Sequence, residues 1–265
     1  MKDKNIDEIL MRALHPDDEP EHYLNQNILQ SAKEKKDMRK FKKIPVALIA
    51  AAIVATVSCI GVAATLIFLS PDEVAEQAND NALAQAFTSS DAVSINQTKT
   101  FGGKSFTLMG LVSGKDISDY PSMANNEIKS DRTYCVLAIA NTDGTPIDAE
   151  TADFFFVSPY IEGYNPAMCN ICTLHGAGVE VYADGCQYRI VECDNIEVFA
   201  DHNIKLGVNS GMLYDHSAFN FDEATGSITS VEGYEQLNLL FDLPLDESKA
   251  DPTAAAEYID EIFNG

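Results

Sequence analysis

The stretch IPVALIAAAIVATVSCIGVAATLIFL, from Ile44 to Leu69, determines how the rest of this 265-residue chain is organised. None of its 26 residues is charged. As an α-helix rising about 1.5 Å per residue it is roughly 39 Å long, and the hydrocarbon core of a bilayer is about 30 Å thick. A charge at the centre of such a helix costs about 2.5–3.5 kcal/mol on insertion scales. The run therefore predicts a transmembrane helix over 44–69.

Basic residues lie on only one side of this predicted helix. The preceding eleven residues contain two acidic side chains, Glu34 and Asp37, and seven basic ones, which are Lys33, Lys35, Lys36, Arg39, Lys40, Lys42 and Lys43. After the run, the first basic residue is Lys99. Cytoplasmic flanks carry the excess of lysine and arginine, so we predict that the N-terminus lies in the cytoplasm and the C-terminal domain outside the cell.

Two alternatives to a membrane-spanning anchor fit this sequence less well. A cleaved signal peptide has an apolar region of about 7–15 residues near its N-terminus, whereas this run is longer and begins after 43 residues. Lipid attachment would use Cys59, but Thr56 is a poor residue for the cleavage signal and ten more residues of the run follow the cysteine. Cys59 is therefore expected to be a small apolar residue of the membrane helix.

The formal charge is very unevenly distributed between the two sides of the run. Residues 1–43 carry ten Lys/Arg and nine Asp/Glu, or about +1, whereas residues 72–265 carry eight and 32, or −24. Such an acidic surface repels nucleic acid, which excludes that class of partner for the C-terminal part. Its aromatic and aliphatic content predicts a folded core and not a disordered acidic tail.

Residues 1–43 predict a short helical cytoplasmic leader with two amphipathic segments. Apolar residues recur at helical spacing and form a possible partner face, which comprises Ile6, Leu10, Leu14, Leu24 and Ile28. So short a segment buries too little to be stable alone, so we expect it to dock on a cytoplasmic protein such as a sigma factor. The alternative is a passive leader whose basic end is attracted to anionic lipid headgroups. A zinc site at His22 is excluded, because Gln26 and Leu29 occupy the positions that cysteines would need.

Beyond the run, the pattern changes from helical to strand-like. Ser70-Pro71-Asp72-Glu73 has the form of a capping box and predicts a juxtamembrane helix over 70–90. Residues 91–265 then predict an extracytoplasmic, mainly β domain, an antiparallel sandwich or barrel with flanking helices. The predicted strands are Ala92–Thr100, Lys104–Val112, Arg132–Asn141, Phe154–Tyr160, Gly178–Ala183, Gln187–Glu192, Glu197–Phe199 and Ile204–Val208. Gly102-Gly103 and Asp184-Gly185 predict hairpin turns, and a closing helix over Pro252–Phe263 is expected to pack through Ala256, Tyr258, Ile259 and Phe263.

Candidate catalytic motifs in the outer domain are incomplete. Gly103-Lys104-Ser105 resembles the end of a phosphate-binding loop, but it opens a strand, and Thr98 replaces the leading glycine. The segment from Gly207 to Gly211 places an asparagine where a nucleophile elbow needs serine. His175, His202 and His216 could each assist a nucleophile, but none lies in a recognisable signature. We therefore predict no catalytic residue, no cofactor and no enzymatic activity, with an envelope hydrolase as the less favoured alternative.

Five cysteines follow the run, and their spacing leaves several roles open. They are Cys135, Cys169, Cys172, Cys186 and Cys193. The pair Cys169 and Cys172 has metal-site spacing, but the second pair that a zinc ribbon needs is missing. Disulfides are possible outside the membrane. Small buried apolar residues are the default expectation, and no metal site is predicted.

The order of these segments resembles a family of uncharacterised single-pass membrane proteins of Gram-positive bacteria, described as anti-sigma-like with an outer domain of unknown function. The resembling blocks include Asp7–Ala13, Glu19-Pro20, Leu24-Asn25-Gln26, Ser70-Pro71-Asp72, Gly185 with Tyr188-Arg189, Asp194-Asn195, Phe199-Ala200-Asp201, Phe221–Gly226, Leu243-Pro244 and Ser248-Lys249-Ala250. The resemblance implies a membrane-anchored regulatory protein whose outer domain senses or binds an envelope ligand. The alternative function is a surface-anchored binding or structural module without enzymatic activity.

Overall fold

The computed structural model describes residues 68–124 and 127–264. The predicted cytoplasmic leader, with its basic residues and partner face, lies outside the described residues. So does the predicted transmembrane helix, except for Phe68 and Leu69, which have no regular secondary structure. Within the described ranges, no helix is long and apolar enough to cross a membrane.

The described residues form a mainly antiparallel β structure with three α-helices and two short 3-10 turns. The α-helices are α1 (Pro71–Gln77), α2 (Asn81–Phe87) and α3 (Pro252–Asn264), and the 3-10 turns are Glu197–Phe199 and Glu247–Lys249. The strands are β1 (Val93–Phe101), β2 (Lys104–Lys115), β3 (Ser122–Ala124), β4 (Glu127–Lys129), β5 (Asp131–Asn141), β6 (Phe155–Ile161), β7 (Ala177–Ala183), β8 (Cys186–Asp194), β9 (Ile204–Ser210), β10 (Phe219–Phe221), β11 (Ile228–Ser230) and β12 (Asn238–Asp242).

Two sheets enclose the main hydrophobic core. The larger has the order β1-β2-β5-β8-β7 and the smaller the order β12-β9-β6, with every neighbouring pair antiparallel. Leu108, Leu137 and Val191 of the larger sheet belong to the same buried cluster as Leu206 and Phe241 of the smaller one. The arrangement is therefore that of a β-sandwich, and the prediction of a β-rich antiparallel domain is confirmed.

Further layers cover the outer faces of both sheets. Helices α1 and α2 bury Val74 and Leu83 against the larger sheet, in a second cluster that includes Tyr188. The hairpin β10–β11 covers the smaller sheet, where Tyr160 packs against Phe219. A Cβ atom at Gly207 would lie 2.1 Å from the Tyr160 ring, so only glycine admits this ring against β9.

Both predicted hairpin turns are confirmed. Gly102 and Gly103 have φ angles of 57° and 78°, and Asp184 and Gly185 have 52° and 76°. Two consecutive positive φ angles are typical of the type I′ turn, whose twist matches that of the flanking strands. These turns fix the registers of β1 with β2 and of β7 with β8.

Two predicted elements differ in the structure. The helix predicted over 70–90 is interrupted at Asn79, where φ is 62°, and Asp80 then caps α2 by accepting a hydrogen bond from the Leu83 amide at 2.9 Å. The strand predicted at Glu197–Phe199 is a 3-10 turn, because the Asn195 side chain accepts a hydrogen bond from the Glu197 amide at 2.9 Å and curls the chain.

The packing face predicted for the closing helix was partly wrong. Ala256 and Phe263 are exposed, whereas Ala255 is buried. Ala255, Tyr258, Ile259 and Ile262 contact the core. This spacing of three, four and seven residues places the four side chains on one face of the helix. The predicted set included two residues outside that face, Ala256 and Phe263.

Candidate functional site

A buried arginine forms the centre of a polar network where β5 begins and β8 ends. Arg132 is 1% exposed and lies opposite Asp194 in the pairing of β5 with β8. One of its terminal nitrogens donates to Asp194 Oδ1 at 2.5 Å, and the other donates to the His175 carbonyl oxygen at 2.7 Å. A buried arginine needs a charged partner, and the sheet register supplies one.

Asp194 accepts hydrogen bonds from three separate elements. Besides Arg132 on β5, His175 Nδ1 in the loop before β7 and the Tyr258 hydroxyl on α3 each lie 2.7 Å from Asp194 Oδ2. Burial and the neighbouring Asp194 carboxylate raise the pKa of Tyr258, so its hydroxyl remains protonated and available as the donor. One carboxylate thus joins a strand, a loop and the C-terminal helix.

The backbone of His175 is constrained at this position. Its φ angle is 47°, in the left-handed region that residues other than glycine rarely adopt. The ring is held by Asp194 and the carbonyl oxygen by Arg132. The network therefore stabilises a backbone conformation that is locally unfavourable.

A second carboxylate extends the network to the hairpin β3–β4. Glu192 lies 3.6 Å from an Arg132 terminal nitrogen and accepts a hydrogen bond from the Ser122 hydroxyl at 2.6 Å. Arg132 Nε, which is buried, has no hydrogen-bond partner in the part of the chain that the structure describes. Arg132, His175, Glu192, Asp194 and Tyr258 together are called the Asp194 network below.

An open cleft of about 330 Å³ adjoins this network. Its lining consists of Ile128, Lys129, Ser130, Asp131, Asp194, Asn195 and Tyr258. Asn195 donates its side-chain amide to Asp131 Oδ1 at 2.8 Å, which holds the rim in place. Charged and hydrogen-bonding groups predominate in the lining, so the cleft suits a polar ligand.

A different kind of contact fastens the start of the described chain to the opposite end of β8. The Leu69 amide donates to the Tyr188 hydroxyl at 2.9 Å, and the Phe68 ring meets the Tyr188 ring edge-on at a centroid distance of 6.4 Å. Ser70 then caps α1, with its amide donating to Glu73 at 2.8 Å, which confirms the predicted capping box. Phe68, Leu69 and Tyr188 are called the junction below.

The structure does not bring the sequence candidates into one site. His202 Nδ1 lies 2.8 Å from the Glu162 carbonyl oxygen, and of the three candidate histidines His175 is the one hydrogen-bonded to Asp194. Lys104 pairs with Asp153 at 2.9 Å, and Asn209, in the position of the absent nucleophile, donates to two carbonyl oxygens. No group of three or more His, Cys, Asp or Glu side chains able to hold a metal ion occurs among the described residues.

The five cysteines of the described residues are free thiols, four of them buried. Burial raises the pKa of Cys135 and of Cys169 to about 12, so these thiols remain protonated. Cys172 is the exposed member of the set. The expectation of small buried residues is therefore met at the other four positions.

Comparisons with protein-family models, with curated proteins and with solved structures gave no significant match. The resemblance to anti-sigma-like membrane proteins stays a prediction.

Proposed function

We propose that this protein is a single-pass, membrane-anchored signalling or regulatory protein. Its extracytoplasmic β domain binds a ligand at the cell envelope, and its cytoplasmic leader engages a partner such as a sigma factor. The uncharged run over 44–69 and its basic cytoplasmic flank support this topology, and the resemblance described above supports the regulatory role.

The junction is the observation that carries the proposal. The predicted membrane helix ends at Leu69, the Leu69 amide is bonded to Tyr188 in the sheet, and α1 begins at Pro71. The described chain thus leaves no flexible linker between the end of the apolar run and the folded domain. A tether that only displays a domain does not need such a connection, whereas a signalling protein needs motion of the domain to reach the membrane helix.

Strand β8 supplies a physical route from the cleft to the junction. Tyr188 and Asp194 are six residues apart on this strand, or roughly 20 Å at about 3.3 Å per residue. Hydrogen bonds to β5 and β7 hold the strand rigidly on both sides. A ligand that shifts the Asp194 end therefore acts on an element that also contacts the chain leaving the membrane.

The topology is tested by labelling intact cells with a maleimide that does not cross membranes. We expect the exposed Cys172 to be labelled and the Cys172→Ser variant to lose the label. In that variant, a second change, Ala32→Cys in the leader, should be labelled only after the membrane is permeabilised. Labelling at position 32 in intact cells would overturn the proposed orientation.

The signalling role is tested by separating the membrane segment from α1, which follows the junction directly. We expect insertion of Gly-Ser-Gly-Ser-Gly-Ser between Leu69 and Ser70, like deletion of residues 1–30, to change the transcript profile of the cells. The same insertion between Gly211 and Met212, in an exposed loop, is the control and should leave the profile unchanged. The alternative, a surface-anchored module with a passive leader, predicts that none of the three changes alters transcripts.

A further inference from the structure

An exposed apolar surface lies beside the cleft, on and next to the hairpin β3–β4. Met123 and Ile128 are directly paired across the hairpin and are 71% and 67% exposed, and Tyr120 just before it is 59% exposed. Ile128 also lines the cleft. These three side chains are called the hairpin surface below. Large apolar side chains grouped on a solvent-facing surface are typical of an interaction site.

The hairpin surface is held by contacts on both of its flanks. The Tyr120 hydroxyl donates to the Asn79 carbonyl oxygen at 3.2 Å, at the break between α1 and α2. The Ser122 hydroxyl donates to Glu192 in the Asp194 network. The neighbouring Asp119 accepts hydrogen bonds from the first two amides of α2. These hydrogen bonds therefore hold in place the segment that carries the apolar side chains.

Acidic residues flank this surface along the chain. Exposed acidic residues lie at positions 116, 119, 127 and 131, against lysines at 115 and 129. Lys129 is offset by Glu127, which lies 3.8 Å from it. The outer part of the chain as a whole has a formal charge of −24. A complementary partner therefore combines positive charge with an apolar face.

We propose that the hairpin surface binds a cationic amphipathic peptide segment, whose apolar face covers Tyr120, Met123 and Ile128 while its basic residues meet the acidic rim. This inference rests on the proposed function and names the class of ligand that the outer domain recognises. A second copy of the chain is a poor occupant, because two domains of charge −24 repel each other. Phosphate-rich and anionic lipid surfaces are disfavoured for the same reason.

The test uses the full chain in nanodiscs of zwitterionic lipid and a synthetic 18-residue peptide of lysine and leucine that forms an amphipathic helix. Titration calorimetry, with empty nanodiscs subtracted, should give a micromolar Kd that weakens at least tenfold between about 50 and 300 mM salt. A peptide of the same composition with its leucines dispersed should bind at least tenfold more weakly.

The decisive comparison uses two double variants. Met123→Ser with Ile128→Ser should weaken binding at least tenfold. Met212→Ser with Leu213→Ser removes a pair that is equally exposed, at 74% and 73%, in another loop, and should leave the Kd unchanged. Equal losses in both variants, or no loss in either, would overturn the inference, since binding would then be diffuse attraction to an acidic surface. An unchanged thermal midpoint by circular dichroism shows that the variants are folded.

Failure of this inference is distinguishable from failure of the proposed function. If the peptide does not bind but the insertion after Leu69 still changes transcripts, the ligand class is wrong and the signalling role stands. If the peptide binds the hairpin surface while neither that insertion nor the deletion of residues 1–30 affects transcripts, the surface is a binding module without signalling output.

Discussion

The two ends of strand β8 have opposite chemistry. At the Tyr188 end, a neutral hydroxyl accepts one backbone hydrogen bond within an apolar cluster. At the Asp194 end, a buried carboxylate meets a buried guanidinium, an imidazole and a phenol. We therefore expect the first end to tolerate change and the second to depend on every member of its polar network.

This difference indicates a division of labour within one strand. The apolar end attaches the chain that follows the uncharged run, through ring packing and one neutral hydrogen bond. The polar end lies at the cleft and the hairpin surface, where a ligand could compete for the same hydrogen bonds. Breaking each end separately tests whether the contrast is energetic as well as chemical.

The largest effect is expected from Asp194→Ala. Arg132 would remain buried with only the more distant Glu192 carboxylate, at 3.6 Å, and breaking a buried ion pair costs about 3–5 kcal/mol. Urea unfolding of the full chain in detergent, followed by circular dichroism, measures the free energy of unfolding. The control is Asp242→Ala, which removes the exposed ion pair with Lys205 and should cost less than about 1 kcal/mol. Equal losses in both variants would contradict the contrast.

A smaller effect is expected from Tyr258→Phe, which removes one of the three donors to Asp194 and keeps the ring. Hydrogen bonds to charged groups contribute about 1.5–3 kcal/mol, so the loss should fall in that range. The same urea titration measures it. If Tyr258→Phe lowers the free energy of unfolding in the original chain but not in the Asp194→Ala variant, the two residues act as one unit. If the losses of the two single variants add up in the double variant, the residues do not form a network.

The sequence predicted the local elements better than the Asp194 network. The turns at Gly102-Gly103 and Asp184-Gly185 were identified because positive φ angles demand particular residues. By contrast, Arg132 and Asp194 are 62 residues apart in the chain, and their meeting follows from the register of β5 with β8. A single sequence contains no direct signal for such a register. The available hint was a rare basic residue at the start of a strand that is otherwise apolar.

The hairpin surface and the broken helix escaped prediction for a related reason. Strands β3 and β4 have only three residues each, too few for a period-two pattern to stand out. At Asn79 the apolar spacing continues through the break, because α1 and α2 pack on the same sheet. Tertiary contacts decided these elements, and local propensity did not.

Alkaline pH should weaken the fold through tyrosines near both ends of β8. Burial raises the pKa of both Tyr134 and Tyr188 to about 12, against 10 for an exposed tyrosine. Tyr134 pairs with Glu192 near the Asp194 end. Between pH 10 and 12 the unfolded chain loses protons that the folded chain keeps, so stability falls as pH rises through this window and is unaffected by these groups below it. Tyr134→Phe and Tyr188→Phe should each reduce the slope by about one proton, or about 1.4 kcal/mol per pH unit. Urea titrations at several pH values measure the slope, and a steep change confined to one variant would contradict this equivalence.

The smallest effect is expected at neutral pH from Tyr188→Phe, the counterpart at the junction of the change at Tyr258. The acceptor for the Leu69 amide is lost, and the ring keeps its edge-on contact with Phe68. A neutral hydrogen bond contributes about 0.5–1.5 kcal/mol, so this variant should lose less free energy of unfolding than Tyr258→Phe. Amide hydrogen exchange at Leu69 should nevertheless rise, because its amide no longer has a partner. A loss as large as that of Tyr258→Phe would contradict the difference between the two ends of β8.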